Sequence, residues 1–406
     1  MSITKKILIS LIFGIILGSI INILFFNEVD SKFTNKIVYF FIEVCNLINN
    51  LYLNVLKMIA IPIVFSSLYI AIAELDKSSS ISKLTLSTIF TYLGTTSIAI
   101  FLGLFIANLT NPGIGVEAQT NSDFEIIEAP SLVETFSNII PSNFVAAFSS
   151  GNMLQIIFLS ISLGYVSRLF IKNSESTLLK SLKEVNKVFI KLINLIIEIS
   201  PLIIFFILVK SFSSLGFNLI YNLFNYFLTV IFVLIVHLII TYGFLLVLIK
   251  ENPIKLLSSI KKVLVFAFAS SSSNATLPVT METCKNELKI KPSIVSFVIP
   301  LGTTINMDGT AIMQGVATVF IAQMFGIDLG FIEYLLVIIT ATLASIGTAG
   351  IPSVGLITLG LVLNQVGLPM EGVALILGID RLLDMSRTAI NVTGDIIVTK
   401  LIAKFN

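Results

Sequence analysis

The chain has 406 residues, 56% of them hydrophobic and 12% charged, with a net charge of +2 and a mean hydropathy of +1.01. Such a composition excludes a water-soluble globular domain and describes an all-α polytopic membrane protein. Cys45 and Cys284 are too few for a disulfide framework or a thiolate metal site, no G-x-x-x-x-G-K-[ST] phosphate loop supports an ATP-driven pump, and nothing in the charge balance points to nucleic acid.

In chain order, apolar runs at 7–26, 37–72, 84–109, 154–170, 188–209 and 219–249 match a hydrocarbon layer about 30 Å thick, the longer ones with tilt or a kink. The first run lacks a small-residue cleavage end and reads as a retained span rather than a signal peptide. Lysine placement orients them. Lys5 and Lys6 precede the first run, and Lys77 and Lys83 follow the second. Glu117, Asp123, Glu125, Glu128 and Glu134 mark an acidic segment with no Lys or Arg, read as external. Arg168, Lys172, Lys180, Lys183, Lys187 and Lys191 mark an internal loop, Lys250, Lys255, Lys261 and Lys262 another, and Lys400 and Lys404 end the chain inside. Lys32, Lys36 and Lys210 fall on the other side and run against the pattern. Eight full spans with both termini cytoplasmic fit best, in a cell (inner) membrane.

After residue 265 the apolar segments are interrupted four times. Ala269–Pro278 is a small-residue run closing on proline, and Ser345–Gly355 has the same design. The arms beside each are too short to span, so each reads as a re-entrant helical hairpin. Asn306-Met307-Asp308-Gly309-Thr310 breaks the run from Ile294 to Phe325. A hairpin followed by an interrupted helix, occurring twice, is the pattern of inverted repeats with a binding site between them. Serine runs and Gly-Pro kinks also serve as close-packing surfaces, whereas an intramembrane Asp308 beside an amide and a glycine points to a site.

The fourth interruption is a charged stripe. At about 100° per residue Asp380, Asp384, Arg387, Thr388, Asn391 and Asp395 fall within an arc of about 100° on one helix. Asp380, Asp384, Arg387 and Asp395 would together cost on the order of 10 kcal/mol at bilayer depth unless they are neutralised. An Asp384–Arg387 pair could be a purely structural ion pair, but three carboxylates against one inward arginine leave negative charge for bound cations. Only Arg168, Arg381 and Arg387 among the 25 basic residues are arginines, so two on one intramembrane helix suit planar, bidentate recognition that lysine cannot supply.

These four motifs, in this order, resemble the dicarboxylate/amino acid:cation symporters, the family of the sodium-coupled glutamate and aspartate transporters, across essentially the whole chain. The resemblance implies a homotrimer in contact with membrane lipid. Its scaffold would comprise residues 1–83 (spans 1 and 2) and 111–217 (an external loop with spans 4 and 5). A mobile transport domain would comprise 84–110 (span 3) and 218–406 (spans 6, 7 and 8 with both hairpins), moving as an elevator with Ser345–Gly355 as the gate. It implies an importer of L-aspartate or L-glutamate, not an enzyme, with sodium as co-transported cargo. Arg387 would clamp a side-chain carboxylate and Asp384 the α-amino group. Thr310, Thr388 and Asn391 would add hydrogen bonds, and backbone near Ser271, Ser273 and Gly355 would close over the substrate. One sodium ion would use Asp395, Asn391 and carbonyls of Gly302 and Asn306. A second would use carbonyls of Thr304, Ser345, Ile346 and Thr348. A third would use Asp308 and Asn306 with Tyr92, Thr95 and Thr96. Hard oxygen donors of this kind suit sodium.

Within the family, Asp384 separates amino acid carriers from dicarboxylate carriers, and Arg387 separates acidic from neutral substrates. Gln314 stands where proton-coupled animal members carry a glutamate, which favours sodium alone. Ser271 and Met385 stand where an arginine is usual, and no potassium counter-transport is expected. The alternatives are a proton- or sodium-coupled carrier of C4-dicarboxylates or of neutral amino acids and, in a different class, an anion channel; no symmetric selectivity filter supports the last. A hydrolase using Ser272 or Ser353 with the lone His237 lacks a G-x-S-x-G, and His237, with no acid near it in sequence, reads as a packing histidine.

Overall fold

The structure is a computed structural model that describes residues 3–26, 32–73, 79–115, 140–150, 153–170, 176–215, 218–346 and 353–405. Among the described residues the secondary structure is helical, without strands. The long apolar runs become α1 (Ile3–Phe26), α2 (Lys32–Ala73), α3 (Ser79–Thr110), α4 (Phe144–Ser150), α5 (Met153–Phe170) and α6 (Thr177–Leu215). Next, α7 (Asn218–His237) passes through a π turn (Leu238–Tyr242) into α8 (Gly243–Leu248). Leu86–Thr110 and Tyr221–Leu248 are long and apolar enough to cross a membrane, and Ile9–Ile23, Gln155–Leu169 and Pro201–Ser213 are shorter apolar stretches over the described residues. The acidic segment from Glu117 to Glu134 lies outside the described residues, as does Lys77.

The second half is made of short helices whose ends are written into the sequence. Asn252 accepts a hydrogen bond from the Lys255 amide at 3.1 Å and Pro253 opens α9 (Pro253–Ser259), a side-chain cap with a pre-set first turn. α10 (Lys261–Ser270) stops because Ser271 turns left-handed at φ 51°, ψ 34°. Ser272 is extended and caps α11 (Ser273–Asn286) by accepting from the Ala275 amide at 3.2 Å. With two residues between them, α10 and α11 fold back onto each other. At 1.5 Å per residue they measure about 15 and 21 Å, short of a bilayer core. Pro278 does not close the serine run as the sequence suggested; it sits inside α11.

The run from Ile294 to Phe325 breaks where expected. α12 (Pro292–Ile305) ends at Asn306 (φ −89°, ψ 93°), Met307 is also non-helical, and α13 (Asp308–Met324) restarts at the acid. α14 (Phe331–Ile346) and α15 (Val354–Gln365) flank 347–352, which lies outside the described residues, and the two helices pack together. The charged stripe, by contrast, interrupts no helix: α16 (Glu371–Phe405) runs unbroken through it.

Two sets of neighbours result. α6 packs along α1 and α2, and α2 also along α5. α3 lies against α13 and α14, while α16 is a central post contacted by α7, α10, α11, α12, α13 and α15. Its last turns are fastened by Lys400, 2.7 Å from Glu251, and by Lys404, which donates to the Ile249 carbonyl. Short or broken helices thus pack around much of α16, and their free backbone groups are tolerable only against protein or a wet cavity.

Candidate functional site

Asp380, Asp384, Arg387, Thr388, Asn391 and Asp395 of the stripe are all buried. Arg387 is 0% exposed. Its Nη2 lies 2.8 Å from Asp380 Oδ1 and 2.9 Å from Asp384 Oδ1, while its buried Nε and Nη1 have no hydrogen-bond partner among the described residues. Asp384 Oδ2 accepts from the Ser353 amide at 3.0 Å, at the start of α15. Arg381 Nη1 is 3.9 Å from the same oxygen, so a second guanidinium flanks this acid although position 385 carries none. Half of the Arg387 fork is neutralised by protein and half is left open. A buried donor of this kind costs about 1–3 kcal/mol while unmatched, more for a charged group, and a carboxylate is the acceptor that suits a guanidinium N–H.

Two glycines lie against Arg387, one at its backbone and one at its guanidinium. A Cβ on Gly309 would stand 2.5 Å from the Arg387 carbonyl oxygen and 2.8 Å from its Cα, so α13 meets α16 backbone to backbone. A Cβ on Gly355 would stand 2.8 Å from Thr310 Cγ2 and 3.5 Å from Arg387 Nη1. Thr310 and Gly355 thus border the open side of the fork. We expect Gly309→Ala to push α13 away from α16, lowering the melting temperature by several degrees and weakening substrate binding; thermal unfolding in detergent and uptake by reconstituted protein would check both.

A second cluster holds the two remaining carboxylates. Asp395 Oδ1 accepts from Asn306 Nδ2 at 2.9 Å, the same nitrogen donates to the Asn391 carbonyl at 2.9 Å, and Asp395 Oδ2 and Asn306 Oδ1 are buried without hydrogen-bond partners among the described residues. Gly302 backs onto them: a Cβ there would be 2.5 Å from Tyr92 Oη and 2.8 Å from Asp395 Cγ. Asp308 Oδ1 accepts from Thr96 Oγ1 at 2.5 Å; Oδ2 accepts from Tyr242 Oη at 2.8 Å and lies 3.2 Å from His237 Nε2. Among the described residues no lysine or arginine pairs with Asp308 or Asp395. Two buried carboxylates among hydroxyl, amide and carbonyl oxygens, with orphaned acceptors and no ammonium or guanidinium, form a donor set that fits a small hard cation.

The other expected residues fall less uniformly. Thr388 Oγ1 donates to the Asp384 carbonyl at 2.8 Å and Thr95 Oγ1 to the Tyr92 carbonyl at 3.0 Å. Asn391 Oδ1 is already engaged by the Gly309 amide at 2.7 Å, and its Nδ2 rests 3.4 Å from Met307 Sδ, so the nitrogen is the end left for a ligand. Ser345 Oγ bonds the Thr342 carbonyl at 2.7 Å and reaches the Ile305 carbonyl at 3.4 Å, which brings the end of α14 beside Thr304. Thr304 Oγ1 bonds back to Pro300 and Leu301. Ile346 ends α14, and Thr348 lies outside the described residues. Ser271 and Ser273 are buried at the hairpin turn, and no hydrogen bond among the described residues joins them to Arg387 or Asp384. His237, read from the sequence as a packing histidine with no acid near it, is fully buried but does have an acid beside it: it and Tyr242 both reach Asp308. The signal that could have found it was the rarity of an ionisable side chain in an apolar run.

The description "Sodium:dicarboxylate symporter family" belongs to a family model that matches residues 3–405. A proton/glutamate-aspartate symporter of Escherichia coli (strain K12) is 30% identical over 416 residues, covering 100% of this chain and 93% of that protein. A proton/sodium-glutamate symport protein of Geobacillus stearothermophilus is 32% identical over 401 residues, covering 97% and 92%. Excitatory amino acid transporter 3 of Homo sapiens is 31% identical over 409 residues, covering 87% and 78%.

Proposed function

Since the chain belongs to the sodium:dicarboxylate symporter family, we propose that it is a secondary active symporter that carries an acidic amino acid, L-aspartate or L-glutamate, into the cell together with sodium ions. The observation that carries this reading is the half-open fork of Arg387. Nη2 is held by Asp380 and Asp384, while Nε and Nη1 lie buried and unmatched beside Thr310 and Gly355. A side-chain carboxylate docking there completes the guanidinium, and the substrate ammonium goes to Asp384, displacing the Ser353 amide from Oδ2. Asn391 Nδ2 and the Thr310 hydroxyl add donors. An amine with two carboxylates meets all of these groups; a dicarboxylate leaves Asp384 unmatched and a neutral amino acid leaves the fork open.

Sodium is the cargo that completes the second cluster. Asp395 and Asn391 with the Gly302 and Asn306 carbonyls would form one site, and Asp308 and Asn306 with Tyr92, Thr95 and Thr96 another; Thr304, Ser345, Ile346 and Thr348 would supply carbonyls to a third. Gln314 supports sodium over protons, because an amide carries no exchangeable charge; its Nε2 donates to Thr358 on α15 at 2.7 Å. Moving one charge through 100 mV is worth about 2.3 kcal/mol, so several sodium ions entering with one acidic amino acid give steep accumulation.

Movement follows from the same architecture. α10–α11 and α14–α15 act as re-entrant hairpins, and with α3, α7, α12, α13 and α16 they travel as one transport domain against a trimeric scaffold of α1, α2, α5 and α6. Residues 345–355 act as the gate of this elevator, in a cell membrane with both termini cytoplasmic. Uptake of labelled L-aspartate into proteoliposomes under imposed sodium, proton or potassium gradients tests the reading. A sodium gradient alone should drive accumulation. Accumulation driven by protons in sodium-free medium would replace the coupling ion, and flux that never saturates would replace the carrier by a channel.

A further inference from the structure

The apolar helix α7 contains the single histidine of the chain, His237, fully buried, and is followed at once by a π turn. In this turn the Gly243 amide reaches back five residues to the Leu238 carbonyl. Residues five apart on an α-helix point about 140° away from each other. One inserted residue brings the fifth residue back above the first, the geometry of single-turn π bulges, which recur at functional sites. The result is visible in the side chains. The His237 and Tyr242 rings meet edge to face with centroids 4.6 Å apart, and both reach the same oxygen of Asp308: Tyr242 Oη at 2.8 Å and His237 Nε2 at 3.2 Å. A carboxylate oxygen accepts, so the ring proton facing it sits on Nε2. Oδ1 of Asp308 has Thr96 Oγ1 as its one hydrogen-bond partner among the described residues, at 2.5 Å.

We propose that His237 and Tyr242 are positioning residues of the cation site at Asp308, saturating Oδ2 so that Oδ1, beside Thr96, is the oxygen held toward the sodium ion. Neither residue is itself a ligand. Their part is to fix the rotation of a carboxylate that would otherwise swing between its two oxygens, the service that hydrogen-bonded outer groups give to metal-ligating side chains. Tyr242 Oη also abuts α16, 3.5 Å from the Ile390 carbonyl, with its one proton given to Asp308. The inference rests on the sodium-symport reading above.

The test measures thermal stabilisation of detergent-purified protein by NaCl against choline chloride, without substrate, beside sodium titrations of L-aspartate uptake. His237→Ala and Tyr242→Phe should each raise the sodium concentration for half-maximal stabilisation about tenfold, the lower end of what loss of an outer-shell partner costs. The aspartate KM at saturating sodium should stay within about twofold of wild type, which loss of general packing would not allow. His237→Gln, which keeps a donor, should recover most of the shift. Sodium titrations that stay within twofold of wild type in both folded variants would overturn the positioning role. So would an equal worsening of sodium and aspartate constants, or failure of the glutamine variant to rescue. A wild-type protein indifferent to sodium would overturn the symport reading together with this one, whereas a sodium-responsive wild type with unaffected variants overturns the positioning role alone.

Discussion

Arg387→Ala is expected to lower L-aspartate and L-glutamate uptake at least a hundredfold while leaving measurable binding of small neutral amino acids. The Arg387 guanidinium is fully buried within the cluster and has unmatched N–H groups among the described residues, so its loss removes the complement of the side-chain carboxylate; Arg381, the other guanidinium, stands at the flank of the cluster, 3.9 Å from Asp384 Oδ2. Charge-assisted hydrogen bonds in such a place contribute about 1.5–3 kcal/mol each, and two of them account for the size of the effect. The amine contact at Asp384 survives, which is why neutral substrates keep a foothold. Removing the arginine also leaves Asp380 and Asp384 with only Arg381, 3.9 Å from Asp384, as counter-charge, a loss of up to about 3–5 kcal/mol for a broken buried pair. Size-exclusion profile and melting temperature must therefore accompany the uptake assay. Arg387→Lys separates the two terms, because it restores charge without the planar fork: stability should largely return and acidic uptake should not. Unchanged aspartate affinity in a folded Arg387→Ala protein would remove this residue from the substrate site.

What was legible beforehand, and what was not, follows from how far each feature depends on neighbours in the chain. The stripe on α16 was legible because a helix converts spacing into a shared face, and all six of its members are buried together. The break at Asn306 and Met307 was legible because an amide, an acid and a glycine follow one another in an apolar run. Features set by contacts between distant segments were not. Nothing near Asn391 announces that its Oδ1 is taken by the Gly309 amide from α13. Pro278 reads as a terminator, yet the helix that contains it starts five residues earlier at Ser273, after the Ser272 cap. The π turn carries no sequence mark of its own, since Leu238–Tyr242 looks like any apolar stretch. His237 and Tyr242 were therefore invisible as a pair until the turn placed both over Asp308.

The second large effect is expected at Asp395, and it concerns how sodium and substrate are linked. Asp395→Asn preserves shape but replaces a carboxylate, one oxygen of which has no partner, by a neutral amide. The half-saturating sodium concentration should rise on the order of tenfold or more, equivalent to at least about 1.4 kcal/mol, while the preference among amino acids is retained. The surroundings suggest how the two ligands feel each other. Asn306 Nδ2 bridges Asp395 Oδ1 and the Asn391 carbonyl, Asn391 Oδ1 holds the Gly309 amide, and Gly309 is pressed against the backbone of Arg387. A cation that fixes Asp395 and Asn306 thereby settles the segment on which the fork stands, and coupling of this sort is reciprocal. A plot of log aspartate KM against log sodium concentration should accordingly stay steep to about tenfold higher sodium in Asp395→Asn, with KM converging on wild type at the highest sodium. A plot that superimposes on wild type would take Asp395 out of the coupled site, whereas a KM that stays raised by the same factor at every sodium concentration would move it from the ion to the substrate.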